Sequence, residues 1–449
     1  MRRCWRQLKT VFRAGTEDSY IPRSDILAVR QLMKKVLMIA FHFPPLAGSS
    51  GIQRTIGFAR HLPRFGWKPL VLTAHPRAYE RVSDDQLADV PPDAIVERAF
   101  ALDSSRHVGV MGRYPDFSAR PDRWVTWWLG AVPKGLAMIR KHRPQAIWST
   151  YPIATAHKIG HTLHRLSGLP WIADFRDPMA QDGYPADPKT WRSYKTIEEQ
   201  ALHSATFSVF VTPGAARTYR ERYPDAPSAS VTVIENGYEE DNFSGQEGAD
   251  KGPLLPGTFT LVHSGIVYPS ERDPTHLFRA LRQMLDAGRL KPGELRLRLR
   301  ASGHEQVMAN LIDRFRLAEI VELCPPLPYR RALEEMMRAD GLLVLQAANC
   351  NDQIPAKVYE YLRCRRPIIA LTDTAGDTAG ILRRAGVHSI ARLESAEDIE
   401  RALPRFLEQA RGGGAALPDE SYVAMTSRLQ RARELAGLLE QAEHAGRGD

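Results

Sequence analysis

Lys357 and Glu360 stand three residues apart at the start of an apolar, helix-forming run, in a stretch from Asn351 to Leu362 that also holds Asp352 and Pro355. Residues at that spacing are neighbours on one helical face. A cation at a helix N-terminus opposes the helix dipole, and an anionic ligand removes the conflict. One cation for phosphate and one carboxylate for a ribose diol suit a nucleotide; a solvated ion pair is the plain alternative. A second stretch, Trp171-Ile-Ala-Asp174-Phe-Arg176-Asp177-Pro178, runs from an apolar strand straight into charge. Asp174 or Asp177 can accept a proton or hold a sugar hydroxyl, and Arg176 can pair with either; a structural ion pair at a strand end has the same pattern. In a third, His263-Ser264-Gly265 leads to Arg272-Asp273-Pro274. Gly265 makes room for a phosphate just past a strand, and Arg272 can clamp it through two N–H groups, or simply face water. In the fourth, Phe43-Pro-Pro-Leu-Ala-Gly48-Ser49-Ser50-Gly51-Ile-Gln-Arg54 joins a strand to a helix. Gly48 and Gly51 let backbone approach a ligand, Ser49 or Ser50 can cap the helix, and its free N–H groups favour an anion; an ordinary turn reads alike.

These stretches need elements that hold them at strand ends. Val36 to Phe41 is an unbroken apolar run, which predicts a buried parallel strand. Ile52, Ile56, Ala59 and Leu62 then recur at helical spacing, and Trp67 to Thr73 is a second strand. Further strands are predicted at 146–149, 171–173, 207–211 and 231–234, with helices between them. After a polar Gly/Asp/Pro stretch the alternation restarts, with strands at 259–263, 295–301, 341–345 and 367–371 and a helix over 357–363. Strands alternating with helices mean parallel α/β sheets, whose ligands sit at the carboxyl ends of strands. The division is a basic extension 1–30, a first α/β domain 31–241, a linker 242–257, a second α/β domain 258–411, and a Gly-rich break with a terminal helix over 412–449. The default site is the cleft between the two domains.

In this order the FPPLAGSSGIQR loop, the ADFRDP strand end, the VIENGY segment (Val233 to Tyr238) and the IPAKVYEYL helix resemble the family 4 glycosyltransferases, over roughly residues 35–440. Within that family the chain resembles the subgroup that makes bacterial surface and exopolysaccharides. The resemblance implies the GT-B fold: two Rossmann-like parallel-sheet domains facing a cleft, with the C-terminal helix crossing back to the first. It implies that the second domain binds a sugar nucleotide, the first binds the acceptor, and a hexose passes to a hydroxyl with retention of anomeric configuration. Glu360 matches the second glutamate of the family's E-x7-E motif, which holds the ribose. The first glutamate, a donor-sugar contact, is replaced by Asp352. Arg272 matches one of two diphosphate-binding cations; the other position is Ile266, for which Lys357 can compensate. Where many members carry a histidine near the sugar, this chain has the 174–177 segment. Arg272, Lys357 and helix N-termini would then stabilise the departing diphosphate without a metal. A lipid-linked saccharide is the expected acceptor. A GT-B sugar-nucleotide epimerase and a non-catalytic membrane-surface binding protein are the competing readings.

Composition narrows the field. The chain has 449 residues, 43% hydrophobic and 25% charged, and a net charge of +9, which excludes a disordered chain, a collagen and a disulfide mini-scaffold. Nine basic and three acidic residues in positions 1–35 account for most of the excess. On a helical wheel Trp5, Leu8, Val11 and Phe12 oppose Arg2, Arg6, Lys9 and Arg13, the pattern of a basic helix at an anionic membrane surface, or of a helix packed on the protein. Charge confined there argues against nucleic acid as partner. There is no G-x-x-x-x-G-K-[ST], G-x-G-x-x-G, H-E-x-x-H or D-x-D, so no cofactor or metal is expected. His157, His161 and His164 lie at helical spacing without a supporting carboxylate and read as a helix face. Trp124, Trp127 and Trp128 read as a core face, or as an acceptor or membrane contact. Leu295, Leu297 and Leu299 alternating with Arg296, Arg298 and Arg300 read as a half-buried strand. Cys4, Cys324, Cys350 and Cys364 form no C-x-x-C pair, Asn242-Phe-Ser244 reads as a chance glycosylation match, and no apolar run is long enough to span a membrane. The expected location is the cytoplasm, at most peripheral to the inner face of the cell membrane.

Overall fold

The structure, a computed structural model, describes residues 33–48, 51–109, 114–244 and 252–446. The chain divides into Met1–Lys34 and the compact unit Lys35–Asp449. The predicted basic helix and Ser49 therefore lie outside the described residues.

Two parallel sheets carry the fold. The first has strands β1 (Lys34–Ala40), β2 (Trp67–Ala74), β3 (Ile95–Ala99), β4 (Ala146–Thr150), β5 (Trp171–Arg176), β6 (Phe207–Phe210) and β7 (Val231–Val233), in the order β3-β2-β1-β4-β5-β6-β7. The second has β8 (Phe259–Ser264), β9 (Leu295–Arg300), β10 (Val321–Cys324), β11 (Gly341–Gln346), β12 (Ile368–Thr372) and β13 (Ile390–Ala391), in the order β10-β9-β8-β11-β12-β13. Every pairing is parallel. Strands buried on both faces are near-continuous apolar runs, as in β1 and β11. Both sheets reverse their winding at one place, between β1 and β4 and between β8 and β11. A crevice opens at such a switch point, outside the carboxyl ends of the strands. The four stretches singled out above follow β1, end β5, follow β8 and follow β11.

The half-buried strand reading of Leu295–Arg300 holds, with the leucines buried and Arg296 and Arg298 half-exposed. The three histidines lie on helix Ala154–Ser167; His157 faces Ser149 across 2.8 Å, and the His161 and His164 rings pack on Trp171. Among the described residues no His, Cys, Asp and Glu cluster of three could hold a metal. Trp127 is fully buried in the first core. No helix among the described residues is long and apolar enough to cross a membrane.

The terminal helix Arg428–Ala445 returns to the first domain. Ala432, Leu435, Ala436, Leu439 and Ala442 recur on one stripe and join the core that contains Val36, Ile52 and Ile56. Full burial of Leu435 and of Leu439 contributes about 1.5–3 kcal/mol each. Glu440 accepts from the Trp67 indole at 3.1 Å, and Arg428 donates to Gln53 at 2.8 Å.

Candidate functional site

Strand β5 reaches the cleft in a strained form. Its pairing with β6 slips between Asp174 and Arg176, and Arg176 has φ of 60°. A bulge re-aims the side chain after it, and a non-glycine residue in the left-handed region costs energy that such sites use. Asp174 points inward. It accepts from Arg54 Nε at 2.9 Å and Nη2 at 2.8 Å, and Thr150 Oγ1 lies 3.0 Å from its second oxygen. Arg54 also donates to the carbonyls of Ile234 (3.0 Å) and Glu235 (3.2 Å), which tie the VIENGY segment to the first domain. This corrects two expectations: Arg54 belongs to a buried ion pair rather than to an anion-binding loop, and Asp174 pairs with Arg54 rather than with Arg176. Both Asp174 oxygens are committed to bonds within the first domain. Asp177 is exposed at the cleft.

Arg176 is the exception. It is 9% exposed, yet Nε and Nη1 have no hydrogen-bond partner. Burial lowers its pKa from the ordinary value. A Cβ on Gly51, the first residue of helix Gly51–His61, would come within 2.5 Å of His42 Nδ1 and 2.6 Å of Arg176 Nη1. Only glycine lets that helix start so close to both rings of charge and imidazole. His42 is held neutral, its pKa lowered to about 4 by burial and by Arg176. It also lines a cavity of about 300 Å³ with Phe41, Gly48, Glu80, Arg123 and Trp124, on the first domain's side.

The second domain supplies the other wall. Lys357 opens helix Lys357–Cys364, and its side chain packs on Gly265, whose added Cβ would lie 3.5 Å from Lys357 Cε. Glu360 Oε1 accepts from Tyr329 at 2.6 Å; Oε2 is buried without a hydrogen-bond partner, 3.6 Å from the Lys357 ammonium. Arg272 donates through Nη1 to the Ile266 carbonyl at 2.7 Å, and its Nε is buried and unpartnered. Gln346, at the end of β11, leaves its Oε1 unpartnered. Arg176, Asp177, Arg272, Gln346, Asp352 and Pro355 line one gap of about 40 Å³ between the domains. A wider cavity of about 540 Å³ lies at the amino ends of β8 and β12, away from all of these groups.

Asp352 is engaged across the cleft. Its carboxylate accepts from Thr218 at 2.8 Å, and its carbonyl accepts from Thr212 at 2.6 Å. Asp377, at the start of helix Asp377–Arg384, accepts from the Gly214 amide at 2.7 Å. The Asp377 carboxylate of the second domain thus bonds the Gly214 amide at the N-terminus of helix Pro213–Arg222, where the dipole favours it, beside the Thr212 side chain that caps the helix through Ala215, while Asp352 holds the Thr218 hydroxyl. A Cβ at Gly214 would strike both carboxylates. Burial raises the Asp377 pKa, and Asp352 adds to the effect.

Four groups escaped the sequence reading. His42 and Gln346 sit at the ends of β1 and β11, so the strand-end rule applied to 174–177 finds them too. Tyr329 and Asp377 carry no local signal, because their partners are 31 and 163 residues away.

Residues 50–237 match the family Glycosyl transferase 4-like domain. No curated protein matches the chain. Among solved structures, sucrose-phosphate synthase from Thermosynechococcus elongatus superposes with a TM-score of 0.62 at 16% identity, covering 92% of this chain and 100% of that one. HepE from Anabaena, in complex with UDP and glucose, gives 0.61 at 13%, covering 91% and 100%. UDP-N-acetylglucosamine 2-epimerase from Rickettsia bellii gives 0.52 at 13%, covering 92% and 98%. At these identities the likeness is one of fold. The chain has the GT-B fold, and over residues 50–237 it is similar to the glycosyl transferase 4-like domains.

Proposed function

We propose that the protein transfers a hexose from a nucleoside diphosphate sugar to a hydroxyl acceptor, with retention and without a metal ion. One observation carries this: a carboxylate oxygen of Glu360 without a hydrogen-bond partner stands beside Lys357, against Gly265, at the carboxyl edge of the second sheet. Glu360 would take the ribose diol. Arg272 and Lys357 would take the diphosphate and stabilise the charge that develops as it leaves. The cavity beside His42 would receive the acceptor, here proposed to be a lipid-linked saccharide at the inner membrane face. His42, kept neutral, can accept a hydrogen bond from the acceptor hydroxyl and orient it. The gap of about 40 Å³ has room for only a few waters, so the domains must part to admit a donor. The solved HepE structure with UDP supports a uridine donor as the first to try.

The test is thermal stability against UDP, GDP, ADP, dTDP and CMP, each with and without Mg²⁺. A ligand at 100 times its dissociation constant stabilises by about 2.7 kcal/mol. A shift with one diphosphate, independent of Mg²⁺ and absent in Glu360→Ala, supports the proposal. No shift with any nucleotide rejects it. The likeness to a 2-epimerase over 92% of the chain favours a second reading, epimerisation of the donor sugar. Epimer formed without acceptor would select it.

A further inference from the structure

Three observations converge on Arg176. It sits at a bulge in a left-handed conformation, so the backbone is strained to aim it. It is nine-tenths buried with two nitrogens unpartnered, although Asp174 is close in sequence and taken by Arg54. It shares one gap with Arg272 of the opposite domain, whose Nε is also unpartnered. Burying an unsatisfied guanidinium is costly; Asp177 and Asp174 attract Arg176 electrostatically but leave its Nε and Nη1 without a hydrogen bond, and the half-exposed Arg272 lines the same gap. On the second domain's side, the position just past Gly265 is Ile266, 42% exposed, which supplies no charge.

We infer that Arg176 completes the diphosphate site from across the cleft, so that the donor's diphosphate is clamped between one guanidinium of each domain. This rests on the nucleotide-sugar reading above and adds to it. The nucleoside is held by the second domain alone. The diphosphate is gripped only when the domains close, so closure and tight diphosphate binding become one event. Closing also shields the leaving group from water at the moment its charge grows.

The experiment is calorimetric titration of the full chain with UDP and UMP, and with the GDP/GMP and ADP/AMP pairs. Arg176→Ala is expected to weaken diphosphate binding by about 10- to 100-fold, the loss of charge-assisted hydrogen bonds, while monophosphate binding changes less than about twofold. Arg176→Lys should recover part of the loss. Glu360→Ala should weaken both members of a pair together. Arg176→Gly relieves the left-handed backbone and the unsatisfied guanidinium, so its ligand-free melting temperature should stay level or rise. If Arg176→Ala leaves diphosphate affinity intact while Glu360→Ala abolishes nucleotide binding, this inference fails and the nucleotide site stands. A fall in melting temperature in Arg176→Gly would make the residue a structural one and also overturn the inference. If no nucleotide binds the wild-type chain, both readings fall together.

Discussion

Asp174→Ala tests whether the ADFRDP segment is scaffold or chemistry. Asp174 is fully buried and the Arg54 side chain is 6% exposed. Removing the carboxylate takes the acceptor from Arg54 Nε altogether; Nη2 retains the Ile234 carbonyl at 3.0 Å, and Nη1 retains that of Glu235 at 3.2 Å. What remains is a buried guanidinium with no counter-charge. Breaking a buried pair in this way costs about 3–5 kcal/mol. At roughly 2–4 °C per kcal/mol for a domain of 150–250 residues, the melting temperature should fall by roughly 6–20 °C. Arg54→Met combined with Asp174→Leu removes both charges at once and should recover most of the loss. The assay is urea unfolding of the wild type, both singles and the double, read as a double-mutant cycle. A loss under about 1 kcal/mol in Asp174→Ala, or a double variant no more stable than the single, would refute the argument and return Asp174 to the list of proton acceptors.

Burial holds His42, His157 and His263 at pKa values of about 4 in the folded chain. The unfolded chain protonates histidine near pH 6.5, so stability is fully present above that value and is lost as pH falls from about 6.5 toward 4. Melting temperature against pH should show this slope, and His157→Phe should remove about one histidine's share of it. Tyr329→Phe deprives Glu360 of its hydrogen bond; about 1 kcal/mol, or roughly fivefold, should be lost from nucleoside affinity by calorimetry, with a comparable loss of ligand-free stability because a buried carboxylate oxygen is left unsatisfied. Asp377→Ala and Gly214→Ala both break the bond between the Asp377 carboxylate and the residue-214 amide and leave the Thr212 cap in place. Both should raise amide exchange at residue 214 and increase the radius of gyration in solution scattering; unchanged scattering in both would show that this bond does not hold the cleft.

The alternation of apolar strands and helices was legible because a two-layer parallel fold writes itself into local periodicity, as in Val36–Phe41 and in the alternating leucines of β9. Three strands passed unseen for local reasons. Edge strand Ile95–Ala99 carries Glu97 and Arg98, edge strand Val321–Cys324 is four residues long with Glu322 in it, and Ile390–Ala391 is only two residues long. At the cleft, the strand-end rule located the right segments but not their partners. Whether Arg54 turns toward the loop or toward Asp174, 120 residues away, is decided by tertiary packing. The same holds for Asp352, whose bond to Thr218 spans 134 residues. Spacing along a helix showed Lys357 beside Glu360, yet nothing local showed that Tyr329 holds the carboxylate.

The return of helix Arg428–Ala445 onto the first domain means that the covalent order of the halves is not their structural order. A fragment ending near residue 241 would carry the whole seven-stranded sheet and still lack part of its own interior, because Leu435 and Leu439 are packed among Val36 and Ile56. Exchanging second domains between related chains at the linker would have the same defect unless the last helix stayed with its original sheet. A working cut must therefore be made twice, once near residue 242 and again in the turn before Ser427, treating the second sheet as an insertion within the first domain.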